Sequence, residues 1–294
     1  MSNMRIGLDV GGTKCLGVVL DNNNSVVASL RYDTPPADQL IDTLCAMVST
    51  LKEQMPDTGK VTVGVGVAGL VTFDGVFRAS PNIEGVGDLP IAKRMSDQLN
   101  VNVRVDNDAT ATAFGEWQIG AARGVSDALV VTLGTGIGGG IISGGQLQRG
   151  GHGYAGEFGH IIVNVDGPRC GCGQNGCWEL YASGSALRTL SGGQRGEEVM
   201  EKASRGDEAT LLVVEEFSEW VGRGLAGLAN ALDPLVIVIG GGVVRASEVF
   251  LGRVSHYLVQ YLYGGPARDV PNVVPAQLGD HAGAIGSALL GALQ

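Results

Sequence analysis

The chain has 294 residues, enough for one large domain or two ordinary ones, and its 44% hydrophobic and 17% charged residues are typical of a globular protein. Its 48 glycines are clustered without a three-residue period, which excludes a collagen-like chain and indicates many tight turns. A net charge of −10 argues against a protein that binds nucleic acid through phosphates.

The five cysteines and the first residues predict a protein of the reducing cytoplasm. Five thiols cannot all pair, and MSNMRIGLDV lacks the basic stretch and long apolar run of a signal peptide. Residues 128–148 carry no charge, but their seven glycines predict turns and not a membrane helix. Cys15 and Cys45 stand in apolar contexts, so we expect both in the core.

Two segments share one pattern, an apolar strand, a glycine turn and a second apolar strand. The first is RIGLDVGGTKCLGVVL at residues 5–20, and the second is ALVVTLGTGIGGGIIS at residues 128–143. Glycine hairpins are common singly, but both of these turns carry a threonine beside glycines. The pair therefore predicts a duplicated architecture.

Between these units lie two more predicted strands and a run of polar residues. KVTVGVGVAG at residues 60–69 and VNVRVDNDA at residues 101–109 have the alternation of strands. The alanine-rich sequence from Ala109 predicts a helix, with no breaker before Gly115. Asp106, Asn107 and Asp108 then lie at the carboxyl end of a strand, where open α/β sheets bind ligands.

The second half alternates predicted helices with a strand. Apolar residues recur at three- and four-residue steps from Val214 to Leu232, which indicates one face of a long helix that Asp233-Pro234 ends. LVIVIGGG predicts a buried strand, residues 246 to about 261 a helix, and HAGAIGSALLGAL an apolar C-terminal helix. We predict α/β layers in two domains, residues 1–108 and 109–280, with the C-terminal helix (about 281–294) packed back on the first.

Glycine turns at three strand ends offer backbone N–H groups to phosphate oxygens. None has the spacing of a P-loop or of a G-x-G-x-x-G fingerprint at a strand-to-helix turn. Together, three such turns favour a nucleotide-binding cleft. They are Gly11-Gly12-Thr13 with Lys14 beside it, Gly134-Thr135-Gly136, and Gly240-Gly241-Gly242.

GHIIVNVDGPRCGCGQNGC, residues 159–177, holds three of the five cysteines and one of the four histidines. Cys170, Cys172, Cys177 and His160 supply three sulfurs and one nitrogen, a complete tetrahedral set for Zn²⁺. Because four protein ligands leave no position for an activated water, we expect a structural metal and not a zinc hydrolase. The alternative is a loop of free reduced cysteines, which the glycines that space the thiols disfavour.

Three carboxylates have two interpretations each. Glu157 and Glu179 flank the cysteine cluster, and a metal knuckle would fix the loops that carry them, although most glutamates lie on the solvated surface. Asp108 is either a functional carboxylate or the N-cap of the helix that begins at Ala109.

Several motifs together resemble the ROK family of repressors, open reading frames and kinases. They are LDVGGTK, DNDATA, GTGIGGGI, AGEFGH and CGCGQNGCWE, and CWELYASGSAL, ANALDPLVIVIGGGV and DHAGAIGSALL extend the resemblance over nearly the whole chain. The string C-x-C-G-x-x-G-C-x-E beside E-x-G-H is highly specific. Within the family, the chain is most similar to the zinc-containing bacterial glucokinases.

This resemblance implies an actin-like ATPase fold, of ribonuclease-H-like type, in which two duplicated α/β domains surround a cleft. It implies ATP-dependent phosphorylation of a hexose at its 6-hydroxyl, first of all glucose to glucose 6-phosphate, with Mg²⁺ accompanying ATP and a structural Zn²⁺. It also implies a homodimer or homotetramer that binds sugar and ATP. From the charge of −10 we expect no nucleic-acid partner, and we expect no membrane partner. The helix-turn-helix domain of the family's repressors is not expected here.

The matching motifs carry the family's site residues onto this chain. Asp108 is implied as the general base. The residues implied for the sugar are Asn82, Asn107, Asp108, Glu157, His160 and Glu179. Those implied for the nucleotide are Asp9, Gly11, Gly12, Thr13, Lys14, Gly134, Thr135, Gly136, Gly241 and Gly242. Those implied for the metal are His160, Cys170, Cys172 and Cys177.

Two departures from the family's pattern leave the sugar open. The family often has Pro-Gly where this chain has Ala68-Gly69, and SPNIEGVGDLP lacks a Trp frequently found after the Asn. The alternatives are an N-acetylhexosamine or fructose kinase, or a sugar-sensing protein without turnover, which the presence of Asp108 and the phosphate turns opposes. Polyphosphate is an alternative donor to ATP.

Overall fold

The structure is a computed structural model that describes residues 4–55, 59–80, 83 and 85–293. The chain forms two compact units. Unit 1 is drawn from Met1–Arg123, Leu147–Gly156 and Leu278–Gln294, and unit 2 from Gly124–Gln146 and Glu157–Gln277. This division differs from the boundary expected at residue 108, because the helix that begins there packs within unit 1.

The described residues contain thirteen strands and nine α-helices. The strands are β1 (Met4–Val10), β2 (Lys14–Leu20), β3 (Val26–Asp33), β4 (Val61–Val67), β5 (Leu70–Val71), β6 (Val76–Ala79), β7 (Leu89–Pro90), β8 (Val103–Asn107), β9 (Ala128–Leu133), β10 (Ile137–Ser143), β11 (Gln146–Gln148), β12 (Val236–Gly240) and β13 (Asn272–Pro275). The helices are α1 (Leu40–Glu53), α2 (Ile91–Leu99), α3 (Asp108–Ile119), α4 (Glu179–Ala182), α5 (Gly184–Leu190), α6 (Gly196–Ser204), α7 (Glu208–Leu232), α8 (Ser247–Tyr261) and α9 (Ala282–Gly291).

Two five-stranded sheets share one topology. The order is β3-β2-β1-β4-β8 in one and β11-β10-β9-β12-β13 in the other, and a small sheet β5-β6-β7 accompanies the first. The central strand, β1 or β9, is antiparallel to the strand that follows it in the chain and parallel to β4 or β12. β4 and β12 in turn pair in parallel with β8 and β13. The repeated order confirms the predicted duplication and the α/β class.

The sheet of unit 1 is covered on both faces. Ile6 and Leu8 of β1 belong to one buried cluster with the apolar side of α1, and α9 packs against β1 and β4. Gly7 and Gly64 face α9, where a Cβ at either position would overlap the backbone of that helix. Glycine at these two strand positions therefore allows α9 to lie close to the sheet.

The core of unit 2 is built on the long helix α7. Its buried face includes Val214, Phe217, Val221 and Leu225, and it packs against α8. Asp207 caps the helix with its side chain, and Asp233 ends it in a left-handed conformation with a φ of 46°. The predicted end at residue 232 is confirmed, whereas the helix begins six residues before Val214.

Other elements match or extend the sequence predictions. Residues 128–148 form β9, β10 and β11, which confirms turns in place of a membrane helix, and none of the helices in the described part of the chain is long and apolar enough to cross a bilayer. α3 continues through Gly115 because the absent side chain lets Gly286 of α9 pack against it. Cys15 and Cys45 are buried, as predicted.

Candidate active site and metal centre

Strand β1 of unit 1 leads into the first predicted phosphate turn. The N–H of Gly11 donates to the carbonyl of Lys14 and closes the turn, and Gly12, Thr13 and Lys14 are exposed. The carboxylate of Asp9, one residue before the strand ends, lies beside Gly283 in the first turn of α9. Burial, together with the charge of Asp108, raises the pKa of Asp9 to about 7.

Asn107 is the N-cap of α3. Its Oδ1 accepts the N–H groups of Ala109 and Thr110 at 2.9 and 3.0 Å, and its Nδ2 donates to the carbonyl of Gly69 at 3.1 Å. The amide nitrogen carries two hydrogens, so one remains for a ligand. The cap that the sequence left open for Asp108 is thus occupied by its neighbour.

Asp108 is the first residue of α3 and lies at the same sheet edge as Asp9. β1, β4 and β8 are mutually parallel, so their carboxyl ends meet at one edge. One oxygen of Asp108 accepts the N–H of Ala109 at 2.9 Å, and burial raises the pKa of its carboxyl group. Neighbouring carboxylates are the hard oxygen ligands that Mg²⁺ prefers, so Asp9 and Asp108 fit an ion that accompanies ATP.

One predicted sugar residue, Asn82, lies outside the described residues. Beside it, the hydroxyl of Ser80 donates to the carbonyl of Ala68 at 2.7 Å and accepts the N–H of Ile83 at 3.2 Å. The loop before Asn82 is therefore joined to the Ala68-Gly69 turn, to which Asn107 also donates.

The four predicted metal ligands come together in unit 2. Ligand atoms of His160, Cys170, Cys172 and Cys177 all lie within 4.8 Å of one another. The sulfurs of Cys172 and Cys177 are 3.5 Å apart, and Nδ1 of His160 is 3.8 Å from the sulfur of Cys170. Thiolates at ~2.3 Å from a tetrahedral zinc stand ~3.8 Å apart. The donor set fits Zn²⁺, which confirms that these residues can hold a structural metal ion.

Glycines and one tryptophan shape the knuckle that carries the cysteines. Gly173 and Gly176 have φ angles of 95° and 67°, and a Cβ on Gly176 would overlap the carbonyl of Asn164. Trp178, which directly follows Cys177, is 1% exposed and donates its indole N–H to the carbonyl of Trp220 on α7 at 2.9 Å. The knuckle is thereby fastened to the main helix of the unit.

The two predicted glutamates flank His160. Its Nε2 lies 3.9 Å from Oε2 of Glu157, and its Nδ1 lies 3.7 Å from Oε1 of Glu179. Glu179 also accepts the thiol of Cys170 at 3.1 Å and approaches Gly136, where a Cβ would strike its carboxylate. Because Nδ1 faces the thiols, Nε2 is the ring nitrogen that faces away from the metal set.

A cavity of about 890 Å³ lies beside the second phosphate turn in unit 2. This volume suits a nucleoside-sized ligand. Of the predicted nucleotide residues in this unit, Gly134, Thr135 and Gly242 line the cavity. Gly136 faces Glu179 instead, and Gly241, with a φ of 84°, packs on the carbonyl of Leu133.

Sequence reasoning missed the far wall of this cavity and one buried ion pair. The wall comes from α5 and α6, and its charged residues are Arg188, Arg195, Glu197 and Glu201. No quoted motif covers α6, and CWELYASGSAL reaches only the first residues of α5, which Ser183 caps. In unit 1, Arg149 pairs with Asp106, and nothing in the sequence linked two residues so far apart.

Comparison with known proteins identifies the family to which this chain belongs. The sequence profile of the ROK family matches residues 5–293. The chain belongs to the ROK family. Over 308 aligned residues it is 34% identical to the glucokinase of Streptomyces coelicolor, which covers 97% of this chain and 96% of that protein.

Solved ROK structures share the fold over nearly the whole chain. A ROK family glucokinase from Streptomyces griseus, crystallised with glucose and AMPPNP, is 37% identical with a TM-score of 0.89, covering 98% of this chain and 99% of that one. The ROK hexokinase of Thermus thermophilus is 34% identical with a TM-score of 0.80, covering 98% and 97%. The likeness confirms the predicted fold class.

Proposed function

We propose that this chain is a hexose kinase that transfers the γ-phosphoryl group of ATP to the 6-hydroxyl of glucose. The relative solved with glucose and AMPPNP supports this substrate pair. The observation that carries the proposal is Asp108, a carboxylate with a raised pKa at the ligand-binding edge of the sheet, next to an Asn107 that keeps one N–H donor. This carboxylate, together with the phosphate turns, favours a kinase over a sugar-binding protein without turnover.

Asp108 acts as the general base in this proposal. Its carboxylate accepts the proton of the 6-hydroxyl as that oxygen attacks the γ-phosphorus, and the bond from that phosphorus to the bridging oxygen of ADP breaks. Asp9, with Asp108 beside it, would hold the Mg²⁺ that accompanies ATP, and the ion would supply positive charge that offsets the phosphate oxygens. N–H groups of Gly11, Gly12 and Thr13 meet the phosphates.

Each unit offers side chains that suit sugar hydroxyls. In unit 1, the remaining amide hydrogen of Asn107 is proposed to donate to a hydroxyl. In unit 2, Glu157 and Glu179 are proposed to accept from hydroxyls, and Nε2 of His160 is proposed to meet a further one. Asn82 is proposed for the same role. When zinc is bound, it fixes His160 and the knuckle in place, and its closed set of four ligands supports a structural role.

The nucleotide is proposed to bind in the unit 2 cavity beside the second phosphate turn. Gly134 and Thr135, which line the cavity, meet phosphates, while Gly242 approaches the adenosine. Gly136 and Gly241 shape these two turns without lining the cavity. The 890 Å³ volume of this cavity supports ATP as the donor, because polyphosphate has no base to fill it.

A coupled assay of ADP release over a panel of hexoses tests this function. The proposal expects release that depends on glucose and exceeds that with N-acetylmannosamine, N-acetylglucosamine or fructose. A larger rate with one of the other sugars would move the assignment to that sugar. Sugar-independent release, or none, would reject hexose phosphorylation.

We also propose a cytoplasmic homodimer or homotetramer without a nucleic-acid partner. The ROK resemblance supports the oligomer, five cysteines without a disulfide in the structure support a reducing compartment, and the charge of −10 opposes phosphate-backbone binding. Light scattering coupled to gel filtration measures the assembly, and a monomer at micromolar concentration would contradict it.

A further inference from the structure

A buried ion pair lies behind the proposed catalytic strand end of unit 1. Asp106 is 1% exposed, and its Oδ2 lies 2.9 Å from Nε of Arg149, whose side chain is 10% exposed. The guanidinium carbon of Arg149 also lies 5.0 Å from the centre of the Phe73 ring. Removing two charges from water offsets much of their attraction, so burial of the pair is weak evidence for a stabilising role.

Asp106 holds the peptide that leads into α3. Its Oδ1 accepts the backbone N–H of Asn107 at 3.0 Å while its Oδ2 faces Arg149. Asn107 caps α3, and Asp108 is the first residue of that helix. The orientation of the Asp108 carboxylate therefore depends on a series of contacts that begins at Arg149.

We propose that Arg149 is a positioning residue for Asp108 and acts through its ion pair with Asp106. This inference rests on the proposed function, since the orientation of Asp108 matters to the rate only if it is the base. A reacting group displaced by ~1 Å costs ~100-fold in rate, so loss of Arg149 lowers kcat by about 10- to 100-fold. The KM for ATP changes by less than about threefold, since the proposed adenosine cavity is lined by other residues.

Arg104 supplies the matched control. It lies two residues before Asp106 on β8, so the two side chains share one face of the strand. The charge of Arg104 lowers the pKa of Asp106, but among the described contacts only Arg149 forms an ion pair with Asp106. Replacing Arg104 removes one positive charge and keeps the pair, whereas replacing Arg149 leaves the buried carboxylate of Asp106 without its partner.

The kinetic test compares Arg149→Met, Arg104→Met, Asp106→Asn and the double variant Asp106→Asn/Arg149→Met, each with kcat expressed per folded molecule. Arg149→Met is expected to lose 10- to 100-fold in kcat and Arg104→Met less than about twofold. The double variant is expected to recover part of that loss, because an amide at position 106 still accepts the Asn107 N–H and leaves no buried charge unpaired. A purely structural role would instead lower the melting temperature with kcat per folded molecule unchanged.

Amide hydrogen exchange without substrate gives a readout that does not depend on turnover. The N–H groups of Ala109 and Thr110, which Asn107 caps, are expected to exchange about tenfold faster in Arg149→Met than in the wild type or Arg104→Met. If the wild type phosphorylates no hexose, the proposed function fails, while these two amides still test the link from Arg149 to α3.

If Arg149→Met does not fold, the double variant carries the test, with kcat expected about tenfold below the wild type. Wild-type kcat in a folded Arg149 variant, or unchanged exchange at both amides, would overturn the positioning role.

Discussion

At the residue scale, the functional argument depends most on Asp9 and Asp108. Both carboxylates lie at the carboxyl edge of the unit 1 sheet, and burial raises the pKa of each. The charge of Asp108 raises the pKa of Asp9 further, so the two groups interact electrostatically. Such carboxylates oppose folding at neutral pH but are suited to accept a proton or to meet a cation.

Replacing Asp108 by Asn removes the proposed base and keeps its shape. Because Asn107 caps α3, the cap survives, and the melting temperature is expected to stay at or above that of the wild type. The value of kcat is expected to fall by about 10²- to 10⁴-fold, with sugar affinity largely retained. Steady-state kinetics, thermal unfolding and sugar-binding calorimetry measure the three effects. A folded variant with the wild-type rate would remove Asp108 from the mechanism.

The raised pKa of Asp9 makes the folded protein less stable as pH rises toward neutrality. Its pKa rises from 3.8 to about 7 on folding, so the folded protein holds a proton that the unfolded chain has released between these values. The free energy of unfolding therefore falls as pH rises through this window. Asp9→Asn lacks this loss, so its melting temperature should exceed that of the wild type by more at pH 8 than at pH 5. An equal difference at both pH values would contradict the raised pKa.

At the scale of elements, α9 packs against both the unit 1 sheet and α3, the helix that carries the proposed base. Gly283 gives room to the carboxylate of Asp9, and Gly286 lies against the carbonyl of Ala111 on α3. The buried Glu116 of α3 accepts the N–H of Leu278 at 2.8 Å, just before α9 begins. Helix, sheet edge and proposed base are therefore packed as one body within this unit.

Gly286→Ala tests the close packing of α9 on α3. A Cβ would overlap the Ala111 carbonyl, which is backbone and cannot turn aside, so the variant is expected to lose about 1–3 kcal/mol of stability. Gly227→Ala on α7 is the matched control, since a Cβ there meets nothing within 4 Å. It is expected to gain about 0.5–1 kcal/mol from helix propensity. Denaturant unfolding measures both, and equal effects would contradict the account.

The sequence predicted those elements whose pattern is local and strong. The two strand–turn–strand units, α7, α8 and the metal knuckle are set by contiguous apolar periodicity, glycine turns or cysteine spacing. The small sheet β5-β6-β7 escaped prediction because its strands are only two to four residues long. α1 was missed although Leu40, Leu44, Val48 and Leu51 recur at helical spacing along one buried face. The role of Asn107 as the cap, in preference to Asp108, depends on the backbone angles at the end of β8, with ψ of 145° at Asn107.

Within the candidate site, the sequence likewise predicted the residues that lie close together along the chain and missed those brought together by packing. The four metal ligands lie within 19 residues of sequence, so spacing alone indicated them. The pairing of Arg149 with Asp106 and the cavity wall of α5 and α6 arise from tertiary packing between distant segments, for which no spacing rule exists.

At the scale of the whole molecule, one sheet topology occurs twice and each copy carries different chemistry. Unit 1 holds the interacting carboxylates and the first phosphate turn, and unit 2 holds the metal ligands, the flanking glutamates and the cavity. The duplication thus accounts for the two glycine turns but not for the knuckle, which the second copy alone possesses among the described residues.

Metal content tests the knuckle across the whole protein. Protein purified without chelator is expected to contain one zinc per chain, and Cys172→Ser is expected to lose it, with a lower melting temperature and a sugar KM raised about tenfold. Cys45→Ala, which removes a buried cysteine outside the knuckle, should keep the metal. Full stoichiometric zinc in Cys172→Ser, or an unchanged sugar KM in a metal-free variant, would contradict the structural role.

Phosphoryl transfer to glucose is the central claim, and ³¹P NMR of the reaction mixture measures it most directly. With ATP, Mg²⁺ and glucose, the purified protein should form one glucose 6-phosphate for each ADP, and neither product should accumulate without glucose. Asp108→Asn at the same concentration should leave both signals near background. ADP that forms without a sugar phosphate, or a glucose spectrum that stays unchanged while ATP is intact, would contradict the assignment of this chain as a hexose kinase.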